Sequence, residues 1–473
     1  MNSLHLILPC SLGIVSLVLW RLANRLDPWV RLPLGIYLGS YLLTTFLGGV
    51  LISLSDGQVI DALGCSADMS VVSDFSSWRY WGLLFAPLIV PPACLLCLQR
   101  LRRVDPVAAT LAPHASERVS PMALGGVYAL FVGYCVTTLI SAGFIANVFQ
   151  WLSLQDNYLT MILRRQETLE SLGSVFFGIA YITLPTLSFA ALYQYRRLRT
   201  LGWRLMFLFV SASTVLINME LMQKAPTLLF LVFIGVALIE LRTLKLRALA
   251  YILGGLIGAL TTIQALIFES WGWWDSVQLL IFRMASSFPF YVNIYPDQLP
   301  YSGVETGLHL VGLGEPATDC FTVFNVMYPS VTWVQGAAAA PAHMRAYSQA
   351  GLLYAFITLV LIGFILKAIS ELRRRVNGPI SFALYVQSLV FLYYTTQTSL
   401  RESIISCYGI FWAFIGLLPL VILQCSQHTH LLFNIRPAID QGGAPHASMV
   451  ATRPVTYSRR PLADRAGTAG RGA

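Results

Sequence analysis

Charged side chains are scarce in this sequence. Only 11% of its 473 residues are Asp, Glu, Lys or Arg, whereas a soluble domain carries about 25%. This scarcity excludes a disordered chain, a nucleic-acid-binding module and an ordinary cytosolic enzyme. Apolar residues take the place of the missing charge, since 56% are hydrophobic and the mean hydropathy is +0.67. The composition therefore predicts a polytopic membrane protein whose helices are solvated by lipid.

Metal-binding patterns are also lacking. The chain has eight cysteines, and the one close pair, Cys94 and Cys97, stands inside an apolar run. No second pair and no suitably placed histidine completes a zinc-type ligand set around it. We therefore predict no metal and no cofactor.

Apolar stretches with the length that a membrane helix needs, about 20 residues, recur along the chain. They predict an all-α fold of eleven spans, with eight spans within 1–268 and three within 350–424. The predicted spans are 3–20, 33–54, 80–99, 121–145, 174–193, 205–221, 226–241, 248–268, 350–370, 380–397 and 402–424.

The basic residues predict how the spans are oriented. Most of the 31 Lys and Arg residues fall in connections on one side of the spans and in the tail. Because cytoplasmic loops carry the basic excess, we expect that side to be cytoplasmic, with the N-terminus outside and the C-terminus inside. The exceptions are Arg79, Arg164, Arg165, Lys224, Arg283, Arg345 and Arg401.

Two long segments are not predicted spans. Residues 269–349 form a large exterior loop between the eighth and ninth spans, and this loop is too aromatic and apolar to be a disordered linker. Loops of this length tend to carry function. Residues 425–473 are rich in Gly, Ala, Pro and Arg, so we predict a disordered cytoplasmic tail close to anionic membrane lipids.

Four exterior cations, Lys224, Arg283, Arg345 and Arg401, stand beside or within apolar stretches. A cation near low dielectric is costly unless an anion satisfies it, and the arginine fork matches phosphate oxygens. The set favours an anionic headgroup ligand such as a lipid diphosphate. The alternative is that each cation snorkels or pairs with a neighbouring carboxylate, for example Arg401 with Glu402.

Other exterior residues offer weaker candidates for substrate binding. The loop 146–173 carries Arg164 and Arg165 and is interpreted either as a ligand-binding surface helix or as a plain one. Aromatic rings deep in the large loop can stack on the C–H faces of sugars. These rings are Tyr295, Tyr301 and Tyr328.

The large loop also holds groups that could accept a proton. They are Asp275, Asp297, Glu305, His309, Glu315, Asp319 and His343. No spacing among them resembles a metal site or a nucleophile triad, so the residues alone do not select the base. The candidates that we select as catalytic residues are His309, Asp297, Glu315 and His343.

Four segments, in chain order, carry a resemblance to a known family. They are QKAPTLLFLVFIGVALIELR with Lys224, LLIFRMASSFPFY with Arg283, RAYSQAGLLYAFITLVLIGFILKAI, and TSLRESIISCYG with Arg401. Together with the place of the large loop, they resemble the Wzy-type oligosaccharide repeat-unit polymerases of O-antigen, enterobacterial common antigen and exopolysaccharide. The resemblance covers roughly residues 140–425.

The resemblance implies a GT-C-like glycosyltransferase in the bacterial inner membrane, with the large loop and the N-terminus in the periplasm. It implies an undecaprenyl (polyprenyl) diphosphate-linked oligosaccharide as substrate, inverting and metal-independent transfer, and a flippase and a chain-length co-polymerase as partners. Lys224, Arg283 and Arg401 would contact the diphosphate or its sugar, with Arg164, Arg165 and Arg345 as weaker candidates. The sequence departs from the family in having Lys224 where arginine is frequent, and in lacking a base that aligns.

Alternative functions stay open at this point. An O-antigen ligase has the same general layout and substrate but transfers the glycan to lipid A core. A flippase or transporter of lipid-linked oligosaccharide would show charges inside several spans and internal symmetry. A membrane acyltransferase would need a His-led helical motif, which is not found near an apolar span, and a non-catalytic export scaffold is a further alternative.

Overall fold

The computed structural model describes most of the chain, and every regular element among the described residues is helical. The described residues are 4–58, 67–72, 75, 77–101, 119–143, 167–168, 170–221, 224–245, 247–248, 251, 254–255, 258, 282, 284–304, 318–331 and 336–435.

We number the helices of the described residues in chain order. Two of them, α2 and α5, contain a π-helical turn, at Leu42–Phe46 and Ile179–Thr183. The helices are α1 Leu4–Leu26, α2 Pro28–Leu54, α3 Trp78–Leu101, α4 Pro121–Ser141, α5 Ser174–Leu198, α6 Leu201–Glu220, α7 Lys224–Glu240, α8 Ser287–Ile294, α9 Asp319–Met327, α10 Ala342–Arg374, α11 Pro379–Tyr394, α12 Leu400–Ile405 and α13 Phe411–Ile435.

Seven of these helices, α1 to α6 and α10, are long and apolar enough to cross a membrane. Shorter apolar helices occupy Ala225–Glu240, Pro379–Tyr394 and Phe411–Cys425, where three further spans are predicted. The prediction of a helical membrane protein is therefore confirmed. The count of eleven spans stays a prediction, since most of the eighth span, 248–268, lies outside the described residues.

The last predicted span, 402–424, is interrupted in the structure. Helix α12 ends at Ile405, and α13 begins only at Phe411. Between them the chain folds back so closely that a Cβ atom on Gly409 would clash with the carbonyl oxygen of Ile404. The backbone N–H of Ile410 donates to the carbonyl of Ser403, 3.1 Å away, which ties the start of α13 to α12.

Helix α5 lies at the centre of the bundle. In the most apolar stretch of α5, 94% of the residues are buried. In the corresponding stretch of α1 only 6% are buried, so α1 lies at the periphery. A helix that is apolar all round belongs in a core, and α5 packs against α4, α6, α7 and α11. It also meets α13 closely, because Gly178 has no side chain and the Trp412 ring fills the space where a Cβ would stand.

Long-range contacts define the two ends of the bundle. At the inner end, the turn between α1 and α2 meets the last residues of α7 and α10 through Asp27, Glu240 and Arg373. At the outer end, the first residues of α3 and α10 meet α8, α9, α12 and the last residues of α11. Helix α10 therefore runs from the outer end to the inner end. The inner end carries the basic excess, and the outer end is the predicted exterior.

Candidate functional site

The segment predicted as a large exterior loop contributes a packed layer to the outer end. All eight residues of α8, Ser287–Ile294, are buried. The Tyr291 hydroxyl donates to the carbonyl of Ala338 over 3.0 Å, and the N–H of Ala338 donates to the carbonyl of Cys320 over 3.0 Å. The extended chain around Ala338 thus joins α8 to α9 just before α10 begins.

A kink separates the first two turns of α10 from the rest of the helix. Ala350 is non-helical, and Gly351 takes φ 83° and ψ −167°, a conformation essentially confined to glycine. The kink frees the carbonyls of Ser348 and Gln349, which accept the N–H groups of Ser302 and Gly303 at 3.0 and 3.1 Å. Residues 342–349 therefore form a separate buried helical segment that positions its own side chains.

Arg345 lies on this segment and ties three helices together. Its Nε donates to Oδ2 of Asp319 on α9 over 2.6 Å, and its Nη2 lies 3.4 Å from Oε1 of Glu402 on α12. The side chain of Arg345 is 4% exposed, that of Asp319 is fully buried, and that of Glu402 is 30% exposed. Because an unpaired buried charge is costly, the two carboxylates make the burial of this guanidinium tolerable.

Asp319 begins α9, where a negative charge favours the helix N-terminus. Its Oδ2 also accepts the Ser348 hydroxyl at 2.7 Å, whereas its buried Oδ1 has no hydrogen-bond partner among the described residues. Glu402 is fixed by a capping box, in which its Oε2 accepts the N–H of Ser399 and the Ser399 hydroxyl accepts the N–H of Glu402. Asp319 is thus held by two side chains of α10, whereas Glu402 is held by the N-terminus of its own helix.

Arg401 stands beside Glu402 at the edge of this cluster and is half-buried. Partial burial lowers the pKa of its guanidinium, and the neighbouring Glu402 carboxylate opposes that shift. Large exposed apolar side chains surround its position in sequence. They are Ile404 and Ile405 on α12, and Phe411, Phe414 and Leu418 at helical spacing on α13. Arg401 is thus followed along α12 and α13 by apolar side chains that the protein itself does not cover.

Asp297, one of the predicted bases, lies at the surface of the outer end. Nη1 of Arg79, at the start of α3, lies 3.2 Å from its Oδ1 and 3.0 Å from its Oδ2. The side chain of Asp297 is 60% exposed, and that of Arg79 is 36% exposed. This carboxylate is open to solvent, although a guanidinium already holds it.

His343, another predicted base, is buried between helices. Its Nε2 lies 3.0 Å from the carbonyl oxygen of Leu83 on α3, and its ring meets the edge of Tyr41 on α2 with centroids 5.8 Å apart. The side chain has almost no solvent exposure. In this geometry the imidazole joins α10 to α2 and α3 and presents no nitrogen to a substrate at the surface.

The three tyrosines proposed for sugar stacking differ in exposure. Tyr295 is buried, its carbonyl accepts the Tyr347 hydroxyl at 2.7 Å, and burial raises the pKa of its phenol to about 12. Tyr328 is half-buried against Phe324, with ring centroids 5.0 Å apart. Tyr301 is 39% exposed and packs edge-on against Tyr347, so it is the most accessible of the three.

Several predicted site residues fall where the structure gives no side-chain placement. Lys224 is the first residue of α7, and only its backbone is described. The others lie outside the described residues: Arg164, Arg165, Arg283, His309 and Glu315.

The two carboxylates that pair with Arg345 in the structure, Asp319 and Glu402, were not selected as site residues from the sequence. Asp319 was one of seven acid–base candidates and was not among the four selected, and its contact with Arg345 crosses 26 residues of chain with no local signal. Glu402 does carry a signal, because Ser399 and Glu402 have the spacing of a capping box. Among the described residues, no group of three His, Cys, Asp or Glu converges as a metal site.

The fold defines a helical, membrane-embedded protein with a charged cluster at its outer end. Comparisons with protein-family models, with curated proteins and with solved structures give no match for this chain. The function is therefore argued from the residues of the outer end themselves.

Proposed function

We propose that this protein is a glycosyltransferase that polymerises oligosaccharide repeat units carried on a polyprenyl diphosphate. The observation that carries the proposal is the position of Arg401. Arg401 is half-buried on α12, and the start of α13 is tied to α12 by the bond from the Ile410 N–H to the Ser403 carbonyl. Helix α13 carries the exposed apolar side chains of Phe411, Phe414 and Leu418. A ligand with an anionic head and a long apolar tail matches that pairing of charge and lipid-facing surface.

Arg401 is assigned to the charge of the diphosphate. Negative charge grows on the bridging oxygen as the sugar leaves, and a fixed guanidinium stabilises that charge without a metal. Arg345 acts as a positioning residue in this scheme, because it holds Glu402, the neighbour of Arg401, and is itself held by Asp319. Lys224 and Arg283 remain the predicted further members of the charge clamp.

The proposed step is a single displacement at the anomeric carbon. A hydroxyl of the incoming lipid-linked repeat unit attacks C1 of the first sugar of the growing chain. The bond from C1 to the diphosphate oxygen breaks as the new glycosidic bond forms, and the anomeric configuration inverts. The hydroxyl proton passes to a general base, and the electron pair of the broken bond leaves with the polyprenyl diphosphate.

Of the three outer-end carboxylates that pair with arginines, Asp297 and Glu402 are exposed enough to meet the acceptor hydroxyl. Asp297 is 60% exposed and Glu402 is 30% exposed, whereas Asp319 has no exposure. Asp297 is therefore kept as a proposed base, and Glu402 joins it on grounds of geometry. His309 and Glu315 stay proposed, and the burial of His343 assigns it instead to packing.

The proposal is tested with purified protein in nanodiscs and a synthetic undecaprenyl diphosphate-linked repeat unit. We expect a ladder of products separated by one repeat unit, resolved by gel electrophoresis and mass spectrometry. Arg401→Gln should lower the rate by roughly 100-fold, the usual effect of losing one donor to the developing charge. The matched control is Arg375→Gln at the inner end, where the side chain is 62% exposed, and it should keep the wild-type rate.

The same assay separates the alternatives. Transfer that occurs only when lipid A core is added would identify a ligase and contradict the polymerase. Movement of the lipid-linked substrate across the bilayer without a new glycosidic bond would identify a flippase. Equal rates for wild-type protein and Arg401→Gln would remove Arg401 from the charge clamp.

A further inference from the structure

A second group of arginines lies at the inner end, on the turn that joins α5 to α6. A half-open cavity of about 520 Å³ opens there. It is lined by Tyr195, Arg196, Arg199, Thr200, Leu201 and Arg204, and we call it the arginine pocket. The turn connects two helices long and apolar enough to be spans, so the pocket lies at the level where a membrane meets water.

The arginine pocket has an unbalanced positive charge. Its lining contains three arginines and no carboxylate. None of the three forms an ion pair with a described residue, and Arg196 only stacks over the ring of Tyr195, 5.9 Å from its centroid. Thr200, the N-cap of α6, makes no side-chain capping bond, so the first N–H groups of that helix add to the positive potential.

An exposed apolar stripe leads away from the arginine pocket along α6. Its members lie at positions 201, 205, 208 and 209, a spacing that places them on one side of a helix. Their exposed fractions range from 52% to 68%. They are Leu201, Leu205, Leu208 and Phe209. The stripe starts inside the pocket at Leu201 and continues toward the middle of the predicted span.

We propose that the arginine pocket binds the phosphate of an anionic phospholipid, with an acyl chain lying along the stripe on α6. Arginine forks bind phosphate oxygens in pairs, so three arginines around one cavity suit the phosphodiester of a lipid headgroup. The apolar stripe favours a lipid over free phosphate, since a free ion gains nothing from it. Basic pockets between membrane helices on the cytoplasmic side are suited to such headgroups. This site is independent of the glycosyl transfer proposed at the outer end.

The test measures lipid retention by native mass spectrometry of the full chain from detergent micelles. The probes are phosphatidylglycerol, the zwitterion phosphatidylcholine, and glycerophosphoglycerol, which is the same headgroup without acyl chains. Wild-type protein should retain phosphatidylglycerol and bind the other two much more weakly. The triple variant Arg196→Gln/Arg199→Gln/Arg204→Gln should bind phosphatidylglycerol on the order of 100-fold more weakly, because each surface arginine contributes to the attraction.

The matched control removes the same charge elsewhere at the inner end. It is Arg21→Gln/Arg25→Gln/Arg247→Gln, whose three side chains are exposed and outside the arginine pocket, and it should retain phosphatidylglycerol as wild type does. Equal loss in both triple variants would reduce the effect to net charge and overturn the site. The single variant Arg199→Gln, in the exposed turn, serves if the triple variant misfolds, and it should weaken binding several-fold.

Two further outcomes bear on the nature of the ligand. Leu205→Gln/Phe209→Gln should weaken phosphatidylglycerol binding and leave glycerophosphoglycerol binding unchanged, because only the acyl chain meets the stripe. If inorganic phosphate or glycerophosphoglycerol binds as tightly as the intact lipid, the lipid assignment is wrong.

Discussion

The arginines at the two ends of the bundle differ in burial and in whether carboxylates neutralise them. At the outer end, Arg345 is almost fully buried and two carboxylates, Asp319 and Glu402, face it. At the inner end, Arg199 and Arg204 of the arginine pocket are exposed, Arg196 is half-buried, and the lining contains no carboxylate. The difference shows that a buried guanidinium is used to fix geometry, because its partners restrict it to one position. An exposed and uncompensated one is suited to attract a mobile anion.

The inner end also contains arginines used for structure, which sharpens the comparison. Arg373 donates through Nε and Nη2 to the two oxygens of Glu240 at 2.8 and 2.7 Å, and through Nη1 to the carbonyl of Trp29 at 3.0 Å. Asp27 accepts Arg374 at 3.4 Å and lies 3.5 Å from the Lys367 ammonium. These pairs join α7 and α10 to the start of α2, so the structural and ligand-binding arginines of this end are separate groups.

The largest expected effect is that of removing Arg345. Arg345→Met leaves Asp319 as an uncompensated buried carboxylate, so it should lower the free energy of unfolding by about 3–5 kcal/mol. The measurement is denaturation in mixed micelles, followed by circular dichroism. The double variant Arg345→Met/Asp319→Leu removes both charges and should recover at least half of the loss. A double variant as unstable as the single one would show that the unpaired Asp319 carboxylate does not cause the loss of stability.

The kink in α10 should give the next effect. Gly351→Ala forces a Cβ into a conformation with φ 83° and places it 3.0 Å from the Tyr301 hydroxyl, so it should cost about 2 kcal/mol. Gly82→Ala, in α3 with no heavy atom within 4 Å of a new Cβ, is the control and should change stability little. Equal stability of the two variants in the same denaturation assay would mean that the kink does not require glycine at position 351.

A smaller effect is expected for Arg373 at the inner end. The pair with Glu240 is partly exposed, at 18% and 14%, so solvent screens it and either partner keeps access to water when the other is removed. Arg373→Ala should therefore cost about 1.5 kcal/mol, less than Arg345→Met, in the same assay. A cost equal to that of Arg345→Met would contradict the contrast drawn between the two ends.

The smallest effect on stability is expected for the surface pair of Arg79 and Asp297. Both side chains are at least one-third exposed, and such pairs contribute about 0–1 kcal/mol. Arg79→Ala should leave the unfolding midpoint nearly unchanged, and Asp297→Asn should do the same. If Asp297→Asn lowers the rate of glycan transfer while the unfolding midpoint stays unchanged, Asp297 acts in catalysis. An unchanged rate removes it from the proposed bases.

Much of the fold was predictable from the sequence, because a membrane span depends on a local property, the length of an apolar run. The predicted stretch 174–193 lies within α5, and 350–370 lies within α10. The break between Ile405 and Phe411 was not predictable, because apolar composition continues through it while Gly409 allows the chain to fold back. The kink at Gly351 was not predictable either, because a single glycine in an apolar run is compatible with several backbone conformations.

The candidate site was predictable only in part. The scarcity of exterior cations directed attention to Arg345 and Arg401, and both lie at the same charged cluster. The partners of Arg345 were not predictable, since Asp319 comes from a different helix, far away in sequence. Glu402, named from the sequence as a neighbour that could pair with Arg401, also meets Arg345 in the structure, a contact that the sequence did not indicate.

The central claim is that Arg401 holds the diphosphate of a lipid-linked sugar, and binding tests it most directly. We would titrate wild-type protein and Arg401→Gln in nanodiscs with undecaprenyl diphosphate and with undecaprenyl monophosphate. The account predicts that wild-type protein prefers the diphosphate by at least about tenfold, and that Arg401→Gln loses this preference while Arg199→Gln keeps it. A wild-type protein that binds both lipids equally, or a preference that survives in Arg401→Gln, would contradict it.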